Sequence, residues 1–298
     1  MERPIGKITA KIMLFSAALI WGATFVITKN TLDDIPPFFL TAMRFSIGSL
    51  ALAPFLYRKF HLIDKKMLVS SAIIGSNLFW GFAMQAFGLL TTTPSKNAFL
   101  SSCYSALVPV LAWIFLRKRP DKWQALAALL CITGVGIISL DEGFSFVWGD
   151  IISFLAAFFY AGQFITLEKF GGNLDVYLVS MLEFGFAGLY AWIASFILEG
   201  LPTFSGISFS GWVSVLYLGV LSSSVAFLFQ NVGQRYTDAS SSSLILSLEC
   251  VFGAVIAVLW YGDALTPKLT VGFIVVFLAI LCSETKFAFL RKVRKTKE

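Results

Sequence analysis

Charged residues are absent from six long stretches of this 298-residue chain: Ile12–Thr28, Met67–Ser95, Asn97–Leu116, Trp123–Leu140, Ile151–Leu167 and Leu201–Gln234. Roughly 20 mostly apolar residues carry an α-helix across a bilayer, where every backbone N–H and C=O has to be satisfied inside the helix. Each stretch therefore predicts a transmembrane helix. Three more segments are apolar apart from one charge each: Ile35–Tyr57 holds Arg44, Val176–Leu198 holds Glu183, and Ala239–Gly262 holds Glu249. A last span starts near Leu269. Breaks fall at Pro36-Pro37, Pro94, Pro120, Gly171-Gly172 and Pro267, where turn residues or charges interrupt the pattern. The expected fold is an all-α membrane protein of ten transmembrane helices.

Only 13% of the residues are charged and the mean hydropathy is +0.81, whereas soluble domains carry roughly 25% charge. Ten spans use almost the whole chain, so no soluble domain is expected. The net charge of +6 sits in short clusters between apolar runs and in the C-terminal tail, with no basic domain that would hold nucleic acid. The clusters set orientation instead. With the N-terminus inside, Arg58, Lys59, Lys65, Lys66, Arg117, Lys118, Arg119, Lys122, Lys169 and Arg235 collect on the cytoplasmic side, together with the tail. Asp33, Asp34, Asp141, Glu142 and Glu199 collect opposite, with Lys29, Lys96 and Lys268 as the basic residues there. The expectation is a multi-pass plasma (inner) membrane protein with both termini cytoplasmic. The first apolar run lacks a convincing small-residue cleavage site and reads as a permanent helix. Cys103, Cys131, Cys250 and Cys282 lie in apolar stretches without metal or CxxC spacing and read as packing residues.

The chain repeats itself. Phe82, Gln85 and Gly88 recur as Phe227, Gln230 and Gly233, a shift of 145 that also pairs Phe99-Leu100 with Leu244-Ile245 and Ser102 with Ser247. A shift of 139 covers the earlier spans and matches Trp21-Gly22 with Tyr160-Ala161, Phe25 with Phe164, Lys29 with Glu168, and Arg44 with Glu183. The halves are expected at residues 1–146 and 147–290, followed by a basic tail at 291–298. Five spans is an odd number, so the second half enters the membrane from the opposite side and the two are inverted five-helix repeats. Inverted repeats suit alternating access, because exchanging the conformations of the halves turns an outward-open cavity into an inward-open one.

Several residues are candidates for lining such a pathway. Asn77, Gly81, Gln85 and Gly88 share one helical face, repeated by Ser222, Ala226, Gln230 and Gly233; small residues with amides serve either close helix packing or a polar cavity. Trp21, Thr24 and Thr28 share a face of the first span, matched by Tyr160 and Gln163 in the sixth; Trp80 and Tyr104 complete the set of substrate-binding candidates. Ala18-x-x-x-Gly22 and Ala157-x-x-x-Ala161 read as helix-packing pairs.

A charge at a helix centre costs about 2.5–3.5 kcal/mol on insertion scales and faces a partner or a cavity. Glu249, with Ser242 and Gly253 on its face, either binds a cation, exchanges a proton or is a structural carboxylate. Arg44 and Glu183 lie about 12 Å in from opposite surfaces at 1.5 Å per residue and are expected to approach one another as a structural pair or gate. No Walker-type segment is present, so ATP hydrolysis is not expected. The one histidine, His61, lies in a basic loop, and neither a metal cluster nor an activated nucleophile is apparent. No enzyme activity and no cofactor are expected. The expected partners are a small-molecule substrate and the lipid bilayer, with proton coupling open and monomer and homodimer equally compatible.

The pattern Trp21-Gly22-x-x-Phe25-x-x-x-Lys29, then Arg44, Phe99-Leu100 and Val108-Pro109, resembles the EamA-type transporters of the drug/metabolite transporter superfamily. Ser247-Leu248-Glu249 and Glu284-Thr285-Lys286 extend the likeness through the second half. The resemblance covers nearly the whole chain. It implies ten helices, cytoplasmic termini, and export or uptake of small metabolites such as amino acids through a central cavity lined by both halves. Two positions depart from the family pattern: Leu248-Glu249 is followed by Cys250 rather than proline, and the acid common at the end of the fourth span is basic here, although Asp263 keeps it in the ninth. A nucleotide-sugar or phosphorylated-sugar exchanger is the related alternative, and it would want several cavity-facing cations; Arg44 alone qualifies. A non-transporting receptor or scaffold is the alternative of another class.

Overall fold

The computed structural model describes residues 6–140, 147–171, 174–201, 203–237 and 245–285. Asp141, Glu142, Gly172, Ser242, Leu244, Lys286 and the tail at 291–298, all used in the sequence reading, lie outside the described residues, as do the side chains of Gly171, Arg235 and Glu284. Ten apolar helices follow one another: α1 Lys7–Thr31, α2 Pro37–Leu62, α3 Lys65–Thr91, α4 Pro94–Leu116, α5 Lys122–Ser139, α6 Trp148–Phe170, α7 Val176–Glu199, α8 Phe209–Gly233, α9 Leu248–Tyr261 and α10 Pro267–Ser283. The first eight are long and apolar enough to cross a membrane; α9 and α10 are shorter. The charge-free run from Leu201 does not begin a helix at once. Its first residues form a connecting loop with a short 3₁₀ turn at Phe204–Gly206 before α8 starts.

Local chemistry sets the ends. Pro37 and Pro94 occupy the first turns of α2 and α4, where a missing N–H costs nothing. Asp64, Asp121, Asp175 and Ser208 cap α3, α5, α7 and α8 with their side chains. Within α4, Pro109 leaves the Ser105 carbonyl without its helical donor, and the Ser283 hydroxyl of α10 donates to it at 2.7 Å. The helix is broken at Cys103, and α9 is preceded by a matching turn at Ser247. Discontinuous helices of this kind are how membrane carriers bring irregular backbone to a central cavity.

The packing has a twofold character. A shift of 139 carries the start of α2 onto the start of α7, and a shift of 145 carries the start of α5 onto the start of α10. Exchanging the repeats turns the α3–α6 contact into α8–α1, α3–α7 into α8–α2, and α4–α6 into α9–α1, all of which are major interfaces. The α2–α7, α4–α9 and α5–α10 interfaces map onto themselves. The chain is thus two inverted five-helix repeats. Even single contacts obey the relation: a Cβ on Gly88 would strike Ser153 and the Gly149 backbone, and one on Gly233 would strike Leu14 and the Ala10 backbone, residues that the 139 shift makes equivalent.

Two large apolar cores result, with a smaller third joining α2 and α8 around Phe39, Met43 and Leu218. One joins α2, α3 and α7 around Phe45, Ile74, Leu178 and Phe184. The other joins α4, α5, α9 and α10, with Ala157 and Ala161 of α6, and contains all four cysteines. Gly22 lies against Phe252, Gly253 and Glu249 of α9, so both small-residue pairs do serve packing.

The face where α1 begins is termed the near face and the opposite one the far face. At the near face Lys59 meets Asp175 at 2.7 Å and Lys118 meets Glu168. Partial burial works to raise the Asp175 pKa, but the Lys59 hydrogen bond and the Tyr177 and Leu178 amides outweigh it and hold the carboxyl below its ordinary value. A depressed carboxylate contributes stability above its unfolded pKa and loses it as pH falls through the folded one. Asp175→Asn should therefore narrow the difference between acid and neutral unfolding midpoints.

Backbone contact leaves no room for a side chain where α3 crosses α6. A Cβ on Gly149 would lie 2.6 Å from the Gly88 carbonyl and 2.7 Å from the Thr92 nitrogen, neither able to yield as a flexible side chain could. Gly149→Ala should cost about 1–3 kcal/mol, read as a lowered thermal midpoint of the detergent-solubilised protein.

Candidate functional site

A cavity of about 220 Å³ lies between the two cores, lined by residues of α1, α2, α3, α4, α6, α7, α8 and α9. Its deepest members, Trp21, Arg44 and Gln85, come from mid-span. Leu167, Val176 and Asn231 come from the near-face ends of α6, α7 and α8. Among the described residues the lining reaches the near-face ends of these helices and includes no residue of a far-face connection, so the cavity extends toward the near face.

Ten sequence candidates are brought together here: Trp21, Thr24, Arg44, Gln85, Tyr104, Tyr160, Gln163, Glu183, Gln230 and Glu249. Two are not. Asn77 is spent on the α3–α6 contact, with its side chain against Gly162 and its amide donating to the Ile73 carbonyl at 3.2 Å. Trp80 points outward, 42% exposed, and stacks on Phe159. The stripe Asn77–Gly81–Gln85–Gly88 is accordingly mostly a packing face on α6, with Gln85 as its contribution to the cavity.

Arg44 organises the floor. Its Nη2 donates to Ser222 Oγ at 2.7 Å and its Nε to Ser223 Oγ at 3.2 Å, while the guanidinium lies 4.2 Å over the Phe82 ring. The serines reach it from a π-helical segment of α8, Tyr217–Val225, a widened turn of a kind often found at functional sites. Ser222 also accepts the Trp21 indole N–H on its carbonyl at 2.9 Å, so α1, α2 and α8 meet at one residue. Burying a charge costs several kcal/mol after relaxation. Hydrogen bonds to a charged group return about 1.5–3 kcal/mol each, and a desolvated cation–π contact about 2, which accounts for a buried arginine that makes no ion pair among the described residues.

The expected approach of Arg44 and Glu183 is corrected by this geometry. They share the cavity, but among the described residues no carboxylate lies within 4.0 Å of Arg44. Glu183 instead accepts from Gln163 Nε2 at 3.3 Å. The two charges come from matched positions of inverted repeats, and each is satisfied by neutral donors or acceptors nearby, so neither has to cross the cavity. Tyr160 donates to Gln85 Oε1 at 2.8 Å, Tyr104 stacks on Phe164 with centroids 5.3 Å apart, and Trp21 meets Phe227 edge-on at 5.4 Å. The site thus presents one cation, two carboxylates, four amides and an aromatic wall. Among the described residues no group of three potential metal ligands occurs.

Sequence reading missed Ser223, Phe82, Ser180 and Asn231. Ser222–Ser223–Ser224 inside an apolar span was the available signal: three consecutive hydroxyls in a helix need partners. Ser224 finds its own in the Gly48 carbonyl at 3.0 Å.

A multi-pass membrane protein of two inverted repeats around a polar central cavity has the architecture of a secondary carrier. The profile of the EamA-like transporter family matches the chain twice, over residues 8–140 and 147–285, and the chain belongs to that family. An uncharacterized transporter of Archaeoglobus fulgidus is 28% identical over 277 residues, covering 93% of this chain and 86% of its own. The uncharacterized transporter YoaV of Bacillus subtilis is 25% identical over 295 residues, covering 95% and 99%. The uncharacterized inner membrane transporter YedA of Escherichia coli is 28% identical over 244 residues, covering 74% of each. Among solved structures, one crystal structure superposes with a TM-score of 0.66 over 93% of this chain and 98% of its own, at 18% identity, a likeness of fold.

If Ser222 and Ser223 carry the Arg44 charge, their joint replacement by alanine should destabilise the protein by about 3–6 kcal/mol, from two hydrogen bonds to a charged group. In a double-mutant cycle with Arg44→Met, most of that loss should vanish, because the groups left unpaired are then gone.

Proposed function

We propose that this chain is a secondary active transporter that exports a small organic metabolite, with amino acids the leading class, by alternating access between its two repeats. The observation that carries the proposal is the cavity: it lies between the repeats and gathers both signs of charge and aromatic faces. Its volume of about 220 Å³ falls below the 300–1,000 Å³ typical of drug-sized ligands. In this reading the repeats comprise residues 1–146 and 147–290, and the tail follows. The Lys and Arg bias makes the near face cytoplasmic in a plasma membrane, with both termini inside, so a cavity reached from the near face is loaded from the cytoplasm.

Arg44 recognises an anionic group of the substrate, and Glu249 and Glu183 a cationic one. Trp21, Tyr104 and Tyr160 pack its apolar part. Glu249 also exchanges the proton that couples export to a gradient. A phosphorylated-sugar exchanger is disfavoured, because Arg44 is the one basic residue among the lining residues described.

The test starts with thermal unfolding of detergent-purified protein in the presence of amino acids and their analogues, nucleotide sugars and lipophilic cations. A ligand at 100 times its Kd stabilises the folded state by about 2.7 kcal/mol, so one class should raise the midpoint and the others should not. Flux of that class in proteoliposomes should then depend on pH, and Glu249→Gln should abolish the dependence. Unchanged flux and pH profile in the folded variant would remove Glu249 from coupling; a midpoint raised by nucleotide sugars alone would favour the exchanger.

A further inference from the structure

The two faces of the molecule are fastened by different chemistry. At the far face, carboxylates of the second repeat reach into the first. Glu199 accepts from the Phe38 and Phe39 backbone nitrogens at 2.7 and 2.9 Å, at the start of α2. Asp263 accepts from the Ser95 nitrogen and hydroxyl at 2.9 and 2.5 Å, in the first turn of α4. Asp150, fully buried, takes Lys96 Nζ at 3.0 Å and the Thr92 hydroxyl. Two of these carboxylates therefore satisfy free N–H groups at helix N-termini, where the helix dipole also favours an anion. At the near face the ties between repeats are ion pairs with more solvent access: 43% and 22% exposed side chains for Lys59 and Asp175, and 64% and 49% for Lys118 and Glu168.

Among the described residues, the carboxylates at near-face helix starts, Asp64, Asp121 and Asp175, cap their own helices rather than one of the opposite repeat, and the inverted repeat explains the difference. Shifts of 139 and 145 place Lys11, Phe60 and Lys118 of the first repeat where the second has Asp150, Glu199 and Asp263. Neither a lysine nor a phenylalanine accepts a hydrogen bond from a helix N-terminus. If the repeats exchanged conformations, the contacts closing the far face would have no counterpart on the near face.

We infer that Asp150, Glu199 and Asp263 form a one-sided latch that holds the repeats closed at the far face, so that the protein rests open toward the near face. The same Lys and Arg bias that orients the chain removes the matching latch. This rests on the alternating-access reading above and adds to it an unequal resting population. Opening the far face requires all three carboxylates to release the first repeat, and the near face closes without comparable gain.

The test reads accessibility and needs no substrate. Thr24→Cys, a conservative change on the cavity wall, reports access. Leu201→Cys in a far-face loop and His61→Cys in a near-face loop mark the two sides in vesicles of defined orientation. A membrane-impermeant maleimide should label Thr24→Cys readily from the near face and slowly from the far face. Adding Glu199→Gln and Asp263→Asn should raise the far-face rate about tenfold, the effect of ~1.4 kcal/mol. Adding Asp175→Asn, which weakens a near-face pair, should not raise it. Continued protection of the native buried cysteines shows that each variant is folded. A measurable far-face rate that the latch variants leave unchanged overturns the latch while alternating access stands. Absence of far-face labelling at Thr24→Cys in every background, with Leu201→Cys labelling normally, overturns alternating access and the latch together.

Discussion

The structure depends on close crossings where one repeat's backbone touches the other's, among them Gly88 against Gly149 and Gly233 against Ala10. In a bilayer, apolar side chains gain little by leaving lipid for protein, so helices associate through close packing and hydrogen bonds. Glycine at these crossings lets α3 lie on α6 and α8 on α1 at a separation that a methyl group would prevent. Both crossings join opposite repeats and are related by the same exchange.

Charge is then placed by what each position has to satisfy. Arg44 enters a low-dielectric region with hydroxyls and an aromatic face as its partners, and Glu183 does so with an amide. Had the two formed an ion pair, the cavity would be bridged and its charges cancelled. Held apart by neutral groups, they keep the cavity open and polar. The π-helical turn of α8 is part of this arrangement, because it supplies Ser222 and Ser223 side by side to one guanidinium while Ser222 also accepts from Trp21.

The faces show the same economy with a different outcome. Basic residues gather at the near face and carboxylates at the far face, a bias that sorts orientation during insertion. Carboxylates make good acceptors for exposed helix N-termini, whereas lysines do not, so in the proposed latch a topological signal becomes an inequality between two faces that the fold makes otherwise equivalent.

Much of this was legible in the residues. Uninterrupted apolar runs can only be satisfied in lipid as helices, which determined the spans, and the shifts of 139 and 145 determined the repeat. Because five spans invert a repeat, they determined the architecture too. Of the candidates that line the cavity, Trp21, Thr24, Gln85, Tyr160, Gln163 and Gln230 followed from polar and aromatic residues recurring at helical spacing, and Arg44, Glu183 and Glu249 from lone charges in apolar spans. What the residues could not show was partnership between segments far apart in the chain. Asn77 and Gln85 share a helical face, yet only the crossing with α6 decides that one is spent on packing and the other meets the cavity. Arg44 and Glu183 are matched by symmetry, but the tertiary structure gave each a nearer neutral partner. The far-face carboxylates read as loop acids in the sequence; that Glu199 and Asp263 cap helices more than 160 residues away was settled by packing, because a helix N-terminus takes whichever acceptor the fold delivers to it.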